Sequence, residues 1–217
     1  MNFKDLFKFL TELQKNNNKE WMDTNRKWYK SLRDDFILWL DELDLTMAQL
    51  DDQYYPTPGK KGINRINNNL MFHPHKPIYK DHFGAGLDKA PDSADFYIEI
   101  GVKQCLFAGG FWRPDSRTLR SIRDGIDYNG EEFVEILEKP SFQRLFGDLY
   151  EDEKLIQAPK GFANNHPHIT LLRNKTFAVI HVVDKKEVLR DDFKEKVKEV
   201  YIEMLPFRRY LNNAASV

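Results

Sequence analysis

The chain has 217 residues, 41% of them apolar and 31% charged, a composition that suits one soluble globular domain and excludes a low-complexity or disordered chain. The 33 basic and 34 acidic residues leave a formal net charge of −1, which argues against a long phosphate-tracking surface. One cysteine, Cys105, cannot form an internal disulfide, and no apolar run approaches the ~20 residues that span a bilayer. With no visible signal peptide, a cytoplasmic protein without a membrane partner is expected.

Leu6, Phe9, Leu10 and Leu13 recur at helical spacing and predict an amphipathic helix from Phe3 to about Lys15. Asn16, Asn17 and Asn18 interrupt it, and Asn18 is placed to cap a second, longer helix. That helix would carry Trp21, Trp28, Leu32, Phe36, Trp39 and Leu43 along one buried side, with one or two more turns over 46–53. The prolines and glycines of 55–62 predict a loop. Residues 66–72 read as a strand that leads into a His/Pro turn.

Phe96, Ile98 and Ile100 alternate with Tyr97 and Glu99, the pattern of a half-buried strand. A second strand over 104–112, joined through 101–103, completes a predicted antiparallel hairpin. Asp115 or Ser116 can cap a helix whose inner stripe is Leu119, Ile122 and Ile126. Further helices are expected over 131–138 and over 141–146, the latter ending at Gly147, and a strand over 175–183. A last helix carries Leu189, Phe193, Val197, Val200, Tyr201 and Met204 and stops near Pro206, with 212–217 frayed. Helices at both ends and clustered strands between them imply an α+β fold, with a mainly antiparallel sheet covered by helices. The expected layout is one domain over 1–217: a helical N-terminal part (1–53), a sheet-containing core (62–183) and a C-terminal helix (186–211).

The most polar segment runs from Gly62 to Gly86. It sets Arg65, three asparagines, His73, His75, Lys76, Tyr79, Lys80 and His82 among apolar residues. Such a density of donors exceeds what a connector needs, so the segment is the leading candidate for a functional surface. Five of the six histidines fall in two groups, His73/His75/His82 and His166/His168. Four imidazoles could hold a metal, but the prolines between them favour loops and no H-E-x-x-H or C-x-x-C pattern is present, so no metal or other cofactor is expected. Lys76, Lys80, Arg113, Arg117, Arg120, Arg123, Lys160 and Arg173 surround the predicted loops and could converge on an anion. Their alternative is local pairing, since Arg120 and Arg123 stand four residues before Asp124 and Asp127. Gly84, Gly86, Gly109 and Gly110 form no phosphate-binding motif, and the last two suit a bulge or close packing in a strand. Cys105, inside an apolar strand, reads as a small core residue.

Four collinear segments, 9–29, 65–86, 107–126 and 159–177, resemble DUF2461, a family of conserved uncharacterised proteins. The resemblance implies a soluble single-domain α+β protein and carries no catalytic residues. Trp21, Asn25, Trp112, Pro114, Leu119, Arg123, Gly161, His166, Pro167 and Lys175 fit its pattern. In the central segment Arg65, Phe72, Lys76, Tyr79 and Lys80 fit as well, but Asn68, Asn69 and Met71 stand where the family carries Arg, Asp and Arg, and His73-Pro74-His75 replaces Ser-Lys-Asp. If the family holds an anion there, this chain has a weakened or retuned site. If the cluster is a buried ion-pair network, its neutral replacement costs little.

The favoured expectation is a polar pocket for a small anionic ligand, with or without enzymatic activity. Its floor would be the 104–112 strand, and its ligand-binding residues Arg65, Lys76, Tyr79, Lys80, Trp112, Arg123 and His166. The alternative is a non-enzymatic interaction module anchored by Tyr54, Tyr55, Phe111 and Trp112. Nucleic-acid binding is the weakest of the three readings. Substrate, catalytic residues and oligomeric state are open.

Overall fold

The alternation of Phe96, Ile98 and Ile100 does produce a strand, β2 (Asp95–Gly101), whose three apolar side chains are fully buried. It lies in a computed structural model that describes residues 1–151 and 153–216. Its sheet neighbours are β1 (His82–Leu87) and β3 (Cys105–Phe111), and β4 (Phe177–Val183) follows in the order β1-β2-β3-β4. The sheet is antiparallel and the remaining elements are helical, giving the α+β architecture. The helices are α1 (Phe3–Lys15), α2 (Lys19–Thr24), α3 (Arg26–Leu50), the single turn α4 (Gly59–Gly62), α5 (Ser116–Glu138), α6 (Pro140–Phe146), α7 (Ile169–Leu172), α8 (Lys185–Val188) and α9 (Phe193–Ala215). No described helix is long and apolar enough to cross a membrane.

Contacts divide the chain into two units. The first comprises Met1–Lys89, Tyr97–Phe107 and Val182–Lys198; the second comprises the described part of Ala90–Phe96, Ala108–His181 and Glu199–Val217.

In the first unit α1 buries Leu6, Phe9, Leu10 and Leu13, and α3 buries Leu32, Phe36, Trp39, Leu40, Leu43 and Met47. Rings fill the space between elements in edge-to-face geometry. Phe3 meets Trp39 at 5.2 Å, Phe9 meets Trp28 at 5.1 Å and Phe36 meets Phe83 at 5.4 Å. The single long helix expected after Asn18 is two helices. Asn18 caps α2 through the Trp21 N–H (2.9 Å), but the chain leaves helical geometry at Asn25. There the Asn25 carboxamide donates to the Trp21 carbonyl (2.9 Å), the local bond by which asparagine competes with a helix ladder.

Loop 54–59 is tied to α3 by carboxylates. Asp44, buried in the helix, accepts from the Tyr54 hydroxyl (2.6 Å) and the Thr57 N–H (2.7 Å), and Asp41 accepts from the Gly59 N–H (2.7 Å). Tyr54 is therefore interior, which corrects its expected role as an exposed anchor, and burial beside Asp44 pushes its phenol pKa well up. Cys105 is buried as expected, and burial raises its thiol pKa.

In the second unit Phe133 stacks on Tyr210 (4.5 Å) and Phe207 (5.8 Å), and Phe96 meets Tyr201 edge-on (5.3 Å). Asp115 caps α5 through the Thr118 N–H (2.8 Å), and the helix is interrupted at Asn129. The expected stop at Pro206 is not found, because α9 continues to Ala215. Phe207, Leu211 and Ala214 are buried beyond the proline, so packing outweighs its one missing hydrogen bond. Leu189 ends α8 and lies outside α9. Gly109 is close-packed as read: an added Cβ would lie 3.1 Å from Arg208 Cδ.

The buried Asp44 carboxylate gives a stability prediction. Asp44→Ala removes the acceptor of two buried hydrogen bonds and should lower unfolding free energy by about 2–4 kcal/mol in denaturant titration. Asp23→Ala, which removes an exposed pair with Arg26, should leave the unfolding free energy nearly unchanged. Equal losses from the two would show that Asp44 is not holding the loop.

Candidate functional site

Residues 66–72, expected as a strand, form none; Asn67 makes an isolated bridge with Tyr79. The strand of this region is β1, at the end of the polar 62–86 segment. The rest of the segment extends β1 as an arm. Ile63 bridges Ala85, the Asn64 N–H donates to the Gly84 carbonyl (2.8 Å), the Lys80 N–H to the Ile66 carbonyl (2.8 Å) and the Asn68 N–H to the Ile78 carbonyl (2.9 Å). Two glycines, Gly84 and Gly86, leave β1 with little side-chain periodicity, so its strand signal is faint. Gly84 is required by its neighbour, since a Cβ there would lie 3.1 Å from Tyr97 Cζ.

On its other side the arm is held by a side chain. The Asn17 carboxamide accepts from the Tyr79 N–H and donates to the Tyr79 carbonyl, both at 2.9 Å, as a paired strand would. Gln14 donates to the Lys80 carbonyl (3.1 Å). Tyr79 is consequently buried, while Arg65 and Lys76 are exposed and Lys80 is half-buried. The Lys80 ammonium donates to the Arg65 carbonyl (3.0 Å). Burial lowers its pKa first, and the nearby charges of Arg65 and Lys76 lower it further, against an opposing pull from Glu99. Among the described residues none of these three cations forms a salt bridge.

Next to the cations stands a polar cluster that sequence reasoning did not single out. The His82 Nδ1 lies 3.0 Å from Asp81 and its Nε2 3.5 Å from Glu99; Glu99 also accepts from the Tyr97 hydroxyl (3.1 Å) and Gln104 (3.3 Å). Burial disfavours the charged form of Asp81, but His82 and Lys103 outweigh it and hold the carboxyl below its ordinary pKa. The signal for Tyr97 and Glu99 was present: the period of two that buries Phe96, Ile98 and Ile100 turns them to the opposite face.

Trp112, Arg123 and His166 belong to the second unit. Trp112 is half exposed and rests against Tyr150 (ring centroids 4.7 Å), with Arg113 in left-handed backbone geometry beside it. Arg123 does not pair with Asp127. Its Nε donates to the Leu172 carbonyl (2.8 Å) and its Nη2 to the Asn174 carbonyl (3.0 Å), so it caps the end of α7. Asp127 instead lies 2.9 Å from His166 Nε2. The His166 Nδ1 accepts the His168 N–H (3.0 Å), and its Nε2 faces Asp127. His168 reaches Glu131 (3.4 Å) across Gly130, where a side chain would strike its ring. Arg120 pairs with Asp124 (2.9 Å), as its spacing implied, and also holds the Lys160 carbonyl (3.0 Å) and covers the Phe162 ring. These groups fasten segment 160–168 to α5 and leave both His166 nitrogens engaged.

His73 and His75 are exposed on the arm, and among the described residues no group of three or more His, Cys, Asp or Glu side chains is placed to hold a metal ion. Comparison with curated proteins and with solved structures gives no significant match. The family described as "Conserved hypothetical protein (DUF2461)" matches residues 5–210, nearly the whole chain. The collinear segments are thus explained, and the chain belongs to the DUF2461 family.

Proposed function

We propose that the arm binds a small anionic ligand through Arg65, Lys76 and Lys80, with Tyr79 holding the backbone that presents them. The observation that carries this reading is a cluster of three cations, in which Arg65 and Lys76 both disfavour the charge on Lys80, with no salt bridge among the described residues. Such a cluster is electrostatically unfinished. An anion placed among the three relieves the repulsion and regains charge-assisted hydrogen bonds. Carboxylate and phosphate both suit the arginine fork. The His82 imidazole between Asp81 and Glu99 puts a titratable group beside the cations, the kind of group that proton transfer on a bound ligand would use. Trp112, Arg123 and His166 are not assigned to this ligand, since the latter two are committed to carbonyl, amide and carboxylate partners.

Thermal shift with inorganic phosphate, short dicarboxylates and nucleotides tests the proposal. A ligand at one hundred times its Kd should stabilise the protein by about 2.7 kcal/mol. Arg65→Gln and Lys80→Gln should weaken that response at least tenfold in ligand concentration, while ligand-free Arg65→Gln loses no stability because it removes a repulsion. Stabilisation by none of these anions, or an unchanged response in both variants, would sink the reading.

The depressed Lys80 pKa adds a pH signature. Between the lowered folded value and the ordinary lysine value of 10.5, the folded protein holds fewer protons than the unfolded chain. The unfavourable contribution of charged Lys80 is therefore fully present at neutral pH, shrinks as pH rises from its folded value, and is gone above the unfolded value of 10.5. A bound anion favours the protonated amine, so ligand Kd should weaken over the same alkaline window in calorimetric titration, and the slope should vanish in Lys80→Gln.

A further inference from the structure

The tip of the arm has features that a small-ligand site does not explain. Met71 and Phe72, adjacent in sequence, are 84% and 71% exposed, and Leu70 and Ile78 beside them are 37% and 36% exposed. The loop that displays them is built, with turn bonds from the His73 N–H to the Asn69 carbonyl (3.0 Å) and from the Lys76 N–H to the His73 carbonyl (3.1 Å). The Asn68 carboxamide closes it on the Pro77 carbonyl (2.8 Å). An ordered loop that holds four apolar side chains toward water has the character of a recognition surface. Along the chain from Gln53 to Lys80 the charge is one-sided, with Lys60, Lys61, Arg65, Lys76 and Lys80 and no Asp or Glu; the acidic groups Asp81 and Glu99 stand at the base of the arm, beside Lys80.

The order of these groups along the arm selects the partner. The apolar residues lie beyond the Asn67–Tyr79 bridge, with Lys76 in the same tip turn, and Arg65 and Lys80 stand on the other side of that bridge. An anionic bilayer presents the same order from its other side: headgroup phosphates and carboxylates first, hydrocarbon beneath. Duplex nucleic acid offers no apolar layer below its phosphates. We infer that the arm docks on anionic lipid surfaces, with Leu70, Met71 and Phe72 entering the acyl boundary and Arg65, Lys76 and Lys80 meeting the headgroups. This is surface attachment and not a membrane span. It rests on the anion-binding reading of the same three cations and commits it to the lipid headgroup as source.

Co-sedimentation of the full chain with vesicles tests it. Vesicles of 70:30 phosphatidylcholine:phosphatidylserine should carry the protein down, and pure phosphatidylcholine vesicles should not. Raised salt should release it. The double variant M71S/F72S alters only exposed side chains, so it should keep its fold by circular dichroism and keep any thermal shift with phosphate, yet lose vesicle binding at least tenfold. Lys76→Gln should weaken it about fivefold. No binding to phosphatidylserine vesicles, equal binding by M71S/F72S, or retention by a double-stranded oligonucleotide with none by vesicles would each overturn the inference. A phosphate response without vesicle binding removes the lipid inference alone. Vesicle binding that needs Met71, Phe72 and Lys76, without any response to free anions, supports the lipid inference and removes the small-ligand reading.

Discussion

Backbone amides and carbonyls that enter the interior without a strand or helix partner have to be paired by something, and much of this molecule is organised by the side chains that do so. Asn17 takes both groups of Tyr79. Asp44 and Asp41 take the amides of Thr57 and Gly59. In the second unit Arg123 satisfies the carbonyls of Leu172 and Asn174, and Asn212 and the buried Arg208 take the amide and carbonyl of Ala94. Each of these bonds fixes an irregular segment against a helix. The loops are thus held as firmly as a sheet would hold them, and they can display side chains in set positions.

The same constraint sorts the charged residues. A guanidinium that caps carbonyls cannot also serve as a ligand clamp, and that is the condition of Arg123. An imidazole whose two nitrogens face an amide and a carboxylate is a strut, and that is the condition of His166. What remains is Arg65, Lys76 and Lys80, cations without a salt bridge among the described residues, of which Lys80 spends one of its three hydrogens on the Arg65 carbonyl. Chemical availability separates the residues of the candidate site better than residue type does.

Much of the fold could be read directly. The stripe of α1, the alternation of β2 and the Asp115 cap of α5 are local patterns that tertiary packing reinforced. Where local and global preferences disagreed the reading failed. Pro206 carried a helix-ending signal that burial of Phe207 and Leu211 overrode. Asn25 broke a stripe whose apolar spacing ran on unchanged across it. β1, built on Gly84, Ala85 and Gly86, had almost no side chains from which to read a period. The cations of the arm stood out by composition alone, whereas the part played by Asn17 did not, because its partner lies 62 residues further along the chain. The cluster around His82 needed two strands to be in register before it existed at all.

The bracket that Asn17 places on Tyr79 also determines how the arm can move. An amide bonded to a neighbouring strand is released when the sheet frays, but the Tyr79 amide is bonded to Asn17, in the turn between α1 and α2. Its exchange with solvent hydrogen has to wait for that turn to detach, so the Tyr79 amide reports on the opening of the helical layer and not of the sheet. The arm and the first helix should therefore loosen together, as one cooperative unit whose joining bonds span 62 and 66 residues of chain.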